Sequence, residues 1–326
     1  MADDPQKGKG AAAPVLPWPT TLTLVGAAMV VLLPSLLLIG QGGAFAAVGG
    51  FVLGAFAIIS GGMGMALRAG PAMLAVILCL IAIPGYAFAT LVGLLLVIGT
   101  GFEAHRYGTR VVVFAIFTYL TVRLGLLQDG SWNLALTYAA GFIAGAAATH
   151  WRRLTGMFPK VKISRAEAVA LAVFIGIGLL ITDALMAWLQ TPRSYWIALL
   201  FTMRGIMPLQ AQRAAVLTFG KAASIGVVIA VLAEVLGLPT EVRLILALIF
   251  ATLGIRYVVH PRPFASMLFS AAVLLCSTAT LQDAIYRAQA IVIVVLLVLF
   301  LVAALDWVFA RIVDRLPDDA EDGAGA

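Results

Sequence analysis

The amino-acid sequence predicts an all-α integral membrane protein, with about twelve transmembrane helices arranged as two parallel six-helix repeats. Three observations lead there. The chain has too few charges to cover a water-facing surface. Its apolar runs have the length of membrane-crossing helices. A sparse set of landmark residues recurs about 155 positions apart.

The composition comes first. Of 326 residues, 63% are hydrophobic and 11% charged, against roughly 25% charged in an ordinary soluble domain. This argues against a soluble enzyme, and against a nucleic-acid partner despite a net charge of +6. Barrel strands would alternate apolar and polar residues; here whole helix lengths are apolar, so the spans are helices. Cys79 and Cys276 lie in apolar runs and read as buried small hydrophobes. His105, His150 and His260 have no zinc-ligand spacing. No nucleophile and base stand at catalytic spacing, so the expectation is a protein that is not an enzyme and needs neither metal nor cofactor.

The spans follow in order. Residues 1–19 read as a polar, Pro-rich cytoplasmic tail without a cleavable signal. Spans are expected at 20–39, 43–62, 66–84, 86–102, 109–126, 132–151, 166–189, 193–208, 211–237, 241–258, 263–280 and 284–310. Gly40-Gln41-Gly42 and Pro84-Gly85 are joints short enough to force antiparallel hairpins. Ser60-Gly61-Gly62-Met63-Gly64 breaks the run between the second and third spans. The chain therefore divides into repeat 1 at 20–151, a basic cytoplasmic linker at 152–165, repeat 2 at 166–310, and a cytoplasmic tail at 311–326 that is acidic from Asp318 onwards and expected to be disordered.

Basic residues set the orientation. With the N-terminus inside, Lys7, Lys9, Arg68, Arg106, Arg110, Arg152, Arg153 and most other cations fall on the cytoplasmic side. Arg123, Arg193, Arg243 and Arg287 fall outside. The positive-inside rule then puts both termini in the cytoplasm. Trp18, Trp132, Trp151, Trp188, Trp196 and Trp307 all lie at expected helix ends, where an amphipathic ring suits the headgroup zone.

The repeat matches Pro84 with Pro239, Gly99 with Gly254, His105 with His260 and Phe114 with Phe269. Leu127-Gln128-Asp129 matches Leu281-Gln282-Asp283, one residue out of register, and Trp151 matches Trp307. Six spans per half give both halves the same orientation, hence a pseudo-twofold axis along the membrane normal. Transporters built this way hold substrate near the midplane, at the repeat interface.

Ionisable groups inside spans are costly and mark candidate sites. Arg204 stands about 16 Å into the eighth span, just before Gly205 and Pro208, at 1.5 Å per residue. The ninth span begins near Arg213 and carries Lys221 about 12–15 Å from its cytoplasmic end. Two cations at similar depth on consecutive helices suit an anionic substrate. In the structural alternative, Lys221 snorkels and Arg204 bonds the carbonyls of a broken helix. Asp183, in the outer third of the seventh span, either carries a proton or is simply hydrated. His105 and His260 occupy equivalent turns and either gate the path near neutral pH or cap helix ends.

Several residues of the second half carry a family resemblance. Tyr195-Trp196 open an apolar span; Gln212-Arg213 and Phe219-Gly220-Lys221 follow; His260-Pro261-Arg262-Pro263-Phe264 starts the penultimate span. In this the chain resembles the fusaric acid resistance-like (FUSC), or aromatic acid exporter, superfamily, and more distantly the plant aluminium-activated malate transporters. The similarity covers most of 43–310, with the first half like a diverged copy. At the family's Arg position the chain has Leu217, and Lys221 stands where the family has Thr. The resemblance implies export of aromatic or other hydrophobic carboxylates across a bacterial inner membrane, driven by protons or passively. Substrate contacts would come from Arg204, Lys221, Arg213, Tyr195 and Trp196, with Asp183 for proton coupling. Some members of the family work with a periplasmic adaptor, and the small organic anion, the bilayer, such an adaptor or a second copy of the chain are the partners it suggests. A passive anion channel and a non-transporting membrane scaffold remain as alternatives.

Overall fold

A computed structural model of the chain describes residues 15–83, 86–108, 132–157, 163–190, 193–202, 209–260, 263–277 and 280–313. Helix accounts for 89% of the described residues and none of them lies in a strand, which favours helices over a barrel. In chain order the helices are α1 (Trp18–Ile39), α2 (Gln41–Ala82), α3 (Tyr86–Tyr107), α4 (Trp132–Trp151), α5 (Arg165–Leu189), α6 (Tyr195–Thr202), α7 (Gln212–Val235), α8 (Thr240–Arg256), α9 (Phe264–Leu275) and α10 (Thr280–Val313). A 3-10 turn, Leu209–Ala211, precedes α7. α2 covers two of the expected spans, 43–62 and 66–84, and each of the other helices overlaps one. The expected span at 109–126, Pro84, Leu127-Gln128-Asp129, the later part of the eighth span with Arg204, and residues 1–14 and 314–326 of the two tails lie outside the described residues.

Among the described residues, five segments are long and apolar enough to cross a membrane: Trp18–Ile39, Gly42–Cys79, Arg165–Leu189, Gln212–Val235 and Thr280–Val308. This fits a multi-pass α-helical membrane protein. The contacts separate two units, one of Met1–Val25 with Lys221–Ala284, the other of Gly26–Gly220 with Ile285–Ala326.

In the larger unit, α2 is two helices rather than one. Gly62 adopts φ 69° and ψ −162°, outside the helical region. A Cβ on Gly54 would strike the Phe142 carbonyl, and one on Gly70 would lie 2.6 Å from the Phe142 ring. In a straight helix these two glycines would stand about 24 Å apart, so both reach Phe142 only because the chain reverses at Gly62. A positive φ suits glycine, which lacks the Cβ that penalises it elsewhere.

The first arm of α2 packs backbone-to-backbone on α4. Gly50 and Gly54 face the carbonyls of Tyr138 and Phe142, while Gly141 and Gly145 face those of Ala47 and Phe51. These are two small-xxx-small pairs, the pattern that lets membrane helices touch without side chains between them. Contacts advance together along both helices, so the arm and α4 run parallel. The Gly156 N–H then donates to the Ile59 carbonyl at 2.9 Å, joining the two at one end. On α3, Gly101 meets Ala172 of α5, while Gly176 of α5 meets Ile98, so that pair is antiparallel. Gly178 leaves room for the Phe201 ring, which lies 5.5 Å from Phe174. Gly220 faces Val295 and Ile291 of α10.

In the smaller unit, α8 packs on α9 with Gly254 against the Phe269 ring, and Gly226 of α7 meets the α9 backbone at Met267 and Ala271. Arg243 ties three helix ends together. Its guanidinium donates to Glu234 near the end of α7, to Thr280 Oγ1 at the start of α10 (2.8 Å), and to Thr240 Oγ1 (3.3 Å). At the other end of α8 the Arg256 guanidinium lies 4.1 Å over the ring of Trp18, which is exposed. The Leu16 N–H donates to the Arg256 carbonyl at 2.9 Å.

Two sequence expectations need correction. Cys79 and Cys276 are exposed on the chain, not buried. Trp196, read as a headgroup-level ring, is 4% exposed. The reason is common to both. A lipid-facing surface is as apolar as the interior, as exposed Val30, Leu37 and Leu38 show, so apolar runs do not tell inside from outside.

Candidate functional site

Of the residues singled out from the sequence, Tyr195 and Trp196 are placed most tellingly. A turn at Arg193 and Ser194 opens α6, with the Trp196 and Ile197 N–H groups donating to the Arg193 and Ser194 carbonyls at 3.0 Å each. Trp196, Ile197, Ala198, Leu200 and Phe201 are all buried, so this short helix is enclosed on most of its surface. The Tyr195 ring meets Phe45 edge-on at 6.2 Å and Trp196 at 6.0 Å.

Two arginines converge on the Trp196 indole. Arg193 lies 5.8 Å from the ring centroid and Arg287 of α10 5.1 Å. Arg287 is 6% exposed, and its Nε and Nη1 are buried without a hydrogen-bond partner. Among the described residues no carboxylate pairs with it. Sequence reasoning placed Arg287 at the outer face and went no further. Its signal was present: a cation about 10 Å into α10, at 1.5 Å per residue, one turn after Asp283 and at the start of the long apolar run.

Arg213 is part of a different site. It forms an ion pair with Asp306 at 2.8 Å, both side chains being more than half exposed. The pair borders a cavity of about 440 Å³ lined also by Glu167, Ala170, Leu209 and Val302, in the size range of small-molecule sites. Ser164 fixes this edge. Its Oγ accepts from the Glu167 N–H at 3.1 Å, which caps α5 and puts Glu167 in the first turn. Exposed ion pairs contribute about 0.2–1 kcal/mol. Arg213→Gln should therefore leave the thermal midpoint within a degree or two, and any larger change in flux reports on the cavity itself.

The remaining residues are dispersed. Asp183 is 8% exposed and partnered, so it is enclosed rather than hydrated. Lys221 is exposed on α7, turned to the surface of the chain. His105 Nδ1–H donates to the Phe102 carbonyl at 2.8 Å, a local helix-end bond. His260 stacks near Tyr257 and Phe264, with centroids 5.8 and 5.0 Å away. Arg204 lies outside the described residues, so its pairing with Lys221 is not placed. No group of His, Cys, Asp and Glu among the described residues has the geometry to hold a metal ion.

An all-α chain with enclosed arginine, aspartate and tryptophan on apolar helices has the make-up of a polytopic membrane protein with a polar interior site. The chain matches no known family model, and no curated protein or solved structure matches it.

Proposed function

We propose that the protein is a bacterial inner-membrane transporter that exports aromatic or other hydrophobic organic anions. The observation that carries this reading is the enclosure of Trp196 with Arg193 and Arg287. Charge and aromatic surface are brought together inside the chain, where a hydrophobic carboxylate would need both. The resemblance of 43–310 to the aromatic acid exporter superfamily points the same way. Asp183, enclosed on α5, favours proton coupling over a passive channel, because a coupled transporter needs a titratable group away from bulk water.

The reading includes twelve spans in two parallel repeats with both termini in the cytoplasm. One regularity supports the repeat. In the first half, the second and third spans both pack on the sixth, through Gly54 and Gly70 against Phe142. In the second half, the corresponding spans pack on the twelfth, through Trp196 against Arg287 and Gly220 against Val295. Single cysteines at Gly130 and Thr191 should label from the outside; labelling only from the cytoplasm would overturn the orientation.

Flux in proteoliposomes tests the function. We expect uptake of an aromatic carboxylate, lowered severalfold or more by Arg204→Gln and by Lys221→Gln in folded protein. Asp183→Asn should remove only the component driven by a proton gradient. Wild-type flux in both cation variants would make those charges structural. No anion flux at all would leave a membrane scaffold as the better reading.

A further inference from the structure

We infer that Arg287 and Trp196 form an anion-binding centre, in which the guanidinium takes the carboxylate of a ring-bearing acid and the aromatic wall of Tyr195, Trp196 and Phe45 takes the ring. The inference deepens the transporter reading and rests on it for the direction and use of binding, though not for the site itself.

The argument turns on what compensates the Arg287 charge. A guanidinium 6% exposed, with Nε and Nη1 lacking hydrogen-bond partners, is costly to hold in an apolar span. The effective penalty for a buried ion is several kcal/mol. Its contact with the Trp196 face, at 5.1 Å, offsets only part of this, about 2 kcal/mol. Among the described residues no carboxylate lies within ion-pair distance of it; Asp283, buried one turn earlier on α10, accepts from the Ser277 hydroxyl. Two other arginines show what a structural role looks like here. Arg243 is bonded to a glutamate and two threonine hydroxyls. Arg256 rests on an exposed tryptophan, where a cation–π contact anchors a helix end. Each of these two also has one buried nitrogen without a partner, Arg243 Nε and Arg256 Nη1; Arg287 has two, with neither the acceptors of the first nor the exposed aromatic partner of the second.

A carboxylate supplies what is missing. Its oxygens accept charge-assisted N–H bonds from the planar guanidinium. A second cation, Arg193, stands on the same indole and adds to the positive field. The surroundings then select the rest of the ligand. The indole, the Tyr195 phenol and Phe45 form a chain of edge-on rings, which favours a planar ring over an alkyl chain or a hydrated inorganic ion.

The test uses purified full-length protein in detergent, with 1-naphthoate as probe, 1-naphthalenemethanol as its uncharged counterpart and acetate as the ringless anion. We expect saturable naphthoate binding with a change in tryptophan emission that disappears in Trp196→Phe. Both controls should bind at least tenfold more weakly. Arg287→Met should lose at least tenfold in naphthoate affinity while its ligand-free thermal midpoint stays level or rises, since a group kept for a ligand is a liability without one. Arg287→Lys keeps the charge without the fork and should fall between the two. If Arg287→Met fails to fold, or melts lower and binds naphthoate as well as the parent, the arginine is structural and the inference is wrong. Equal binding by acetate would remove the ring from it. Binding at Arg287 without naphthoate flux would overturn the transporter and keep the site. Naphthoate flux unchanged in Arg287→Met would do the reverse.

Discussion

Replacing Gly54 or Gly145 by leucine will abolish recovery of folded protein, and replacing either by alanine will destabilise it by about 1–3 kcal/mol. The cause is backbone proximity. A Cβ on Gly54 would overlap the Phe142 carbonyl oxygen, and one on Gly145 the Phe51 carbonyl. Those oxygens belong to helical backbone and cannot swing away as a flexible side chain can. The first arm of α2 and α4 would have to separate along their whole contact, losing the packing that holds membrane helices together in the absence of a hydrophobic drive between them. Gly26, Gly64 and Gly99 provide the controls, because a Cβ at each meets nothing within 4 Å. Alanine there should leave the melting temperature unchanged or raise it slightly, in line with its better helix propensity. Thermal denaturation in detergent, followed by monodisperse recovery, separates the two groups. Equal melting temperatures for Gly54→Ala and Gly99→Ala would disprove the close helix contact.

The second large effect is expected at Glu234. The side chain of its partner Arg243 is only 12% exposed, and the pair joins the end of α7 to α8, with Thr280 of α10 as a third point. Glu234→Ala leaves a mostly enclosed guanidinium without its counter-charge and should cost about 1–3 kcal/mol, less than for a fully buried pair because Glu234 is partly exposed. Removing both charges tells more than removing one. Glu234→Met with Arg243→Met should return to within about 1 kcal/mol of the parent, since an ion pair replaced by apolar groups of similar volume loses little. A double variant as unstable as the worse single one would mean that the threonine bonds, rather than the ion pair, hold these helix ends.

Helix positions were legible in the sequence because they depend on length and hydropathy. The glycines at 60–64 marked the reversal in α2. What was not legible was which face of each helix turns inward. In a soluble protein the polar face answers that. Here Leu37 lies in lipid-like exposure and Leu171 in the core, and hydropathy does not separate them. The glycine pairs at 50/54 and 141/145 were the readable clue to one interior face, through their spacing of four. The site was legible by half. Tyr195 and Trp196 were found as an aromatic pair opening a span, but their burial was not, and Arg287 was passed over because a cation near a helix end ordinarily reaches water. The Arg213–Asp306 pair spans 93 positions, and nothing local in either helix announces it.

The glycine seam between α2 and α4 has a consequence for how the chain is made. Its two halves are separated by the second arm of α2, by α3 and by residues 109–131. At 5–20 residues per second, the ribosome delivers Gly145 on the order of ten seconds after Gly54. Throughout that interval the first arm sits in the bilayer with a stripe of bare backbone and no mate. It leaves synthesis as an independently inserted helix and is completed only when α4 arrives, parallel to it and out of sequence order. Pairing of these two helices therefore comes after both have been made, and it depends on their meeting side by side rather than on their order in the chain.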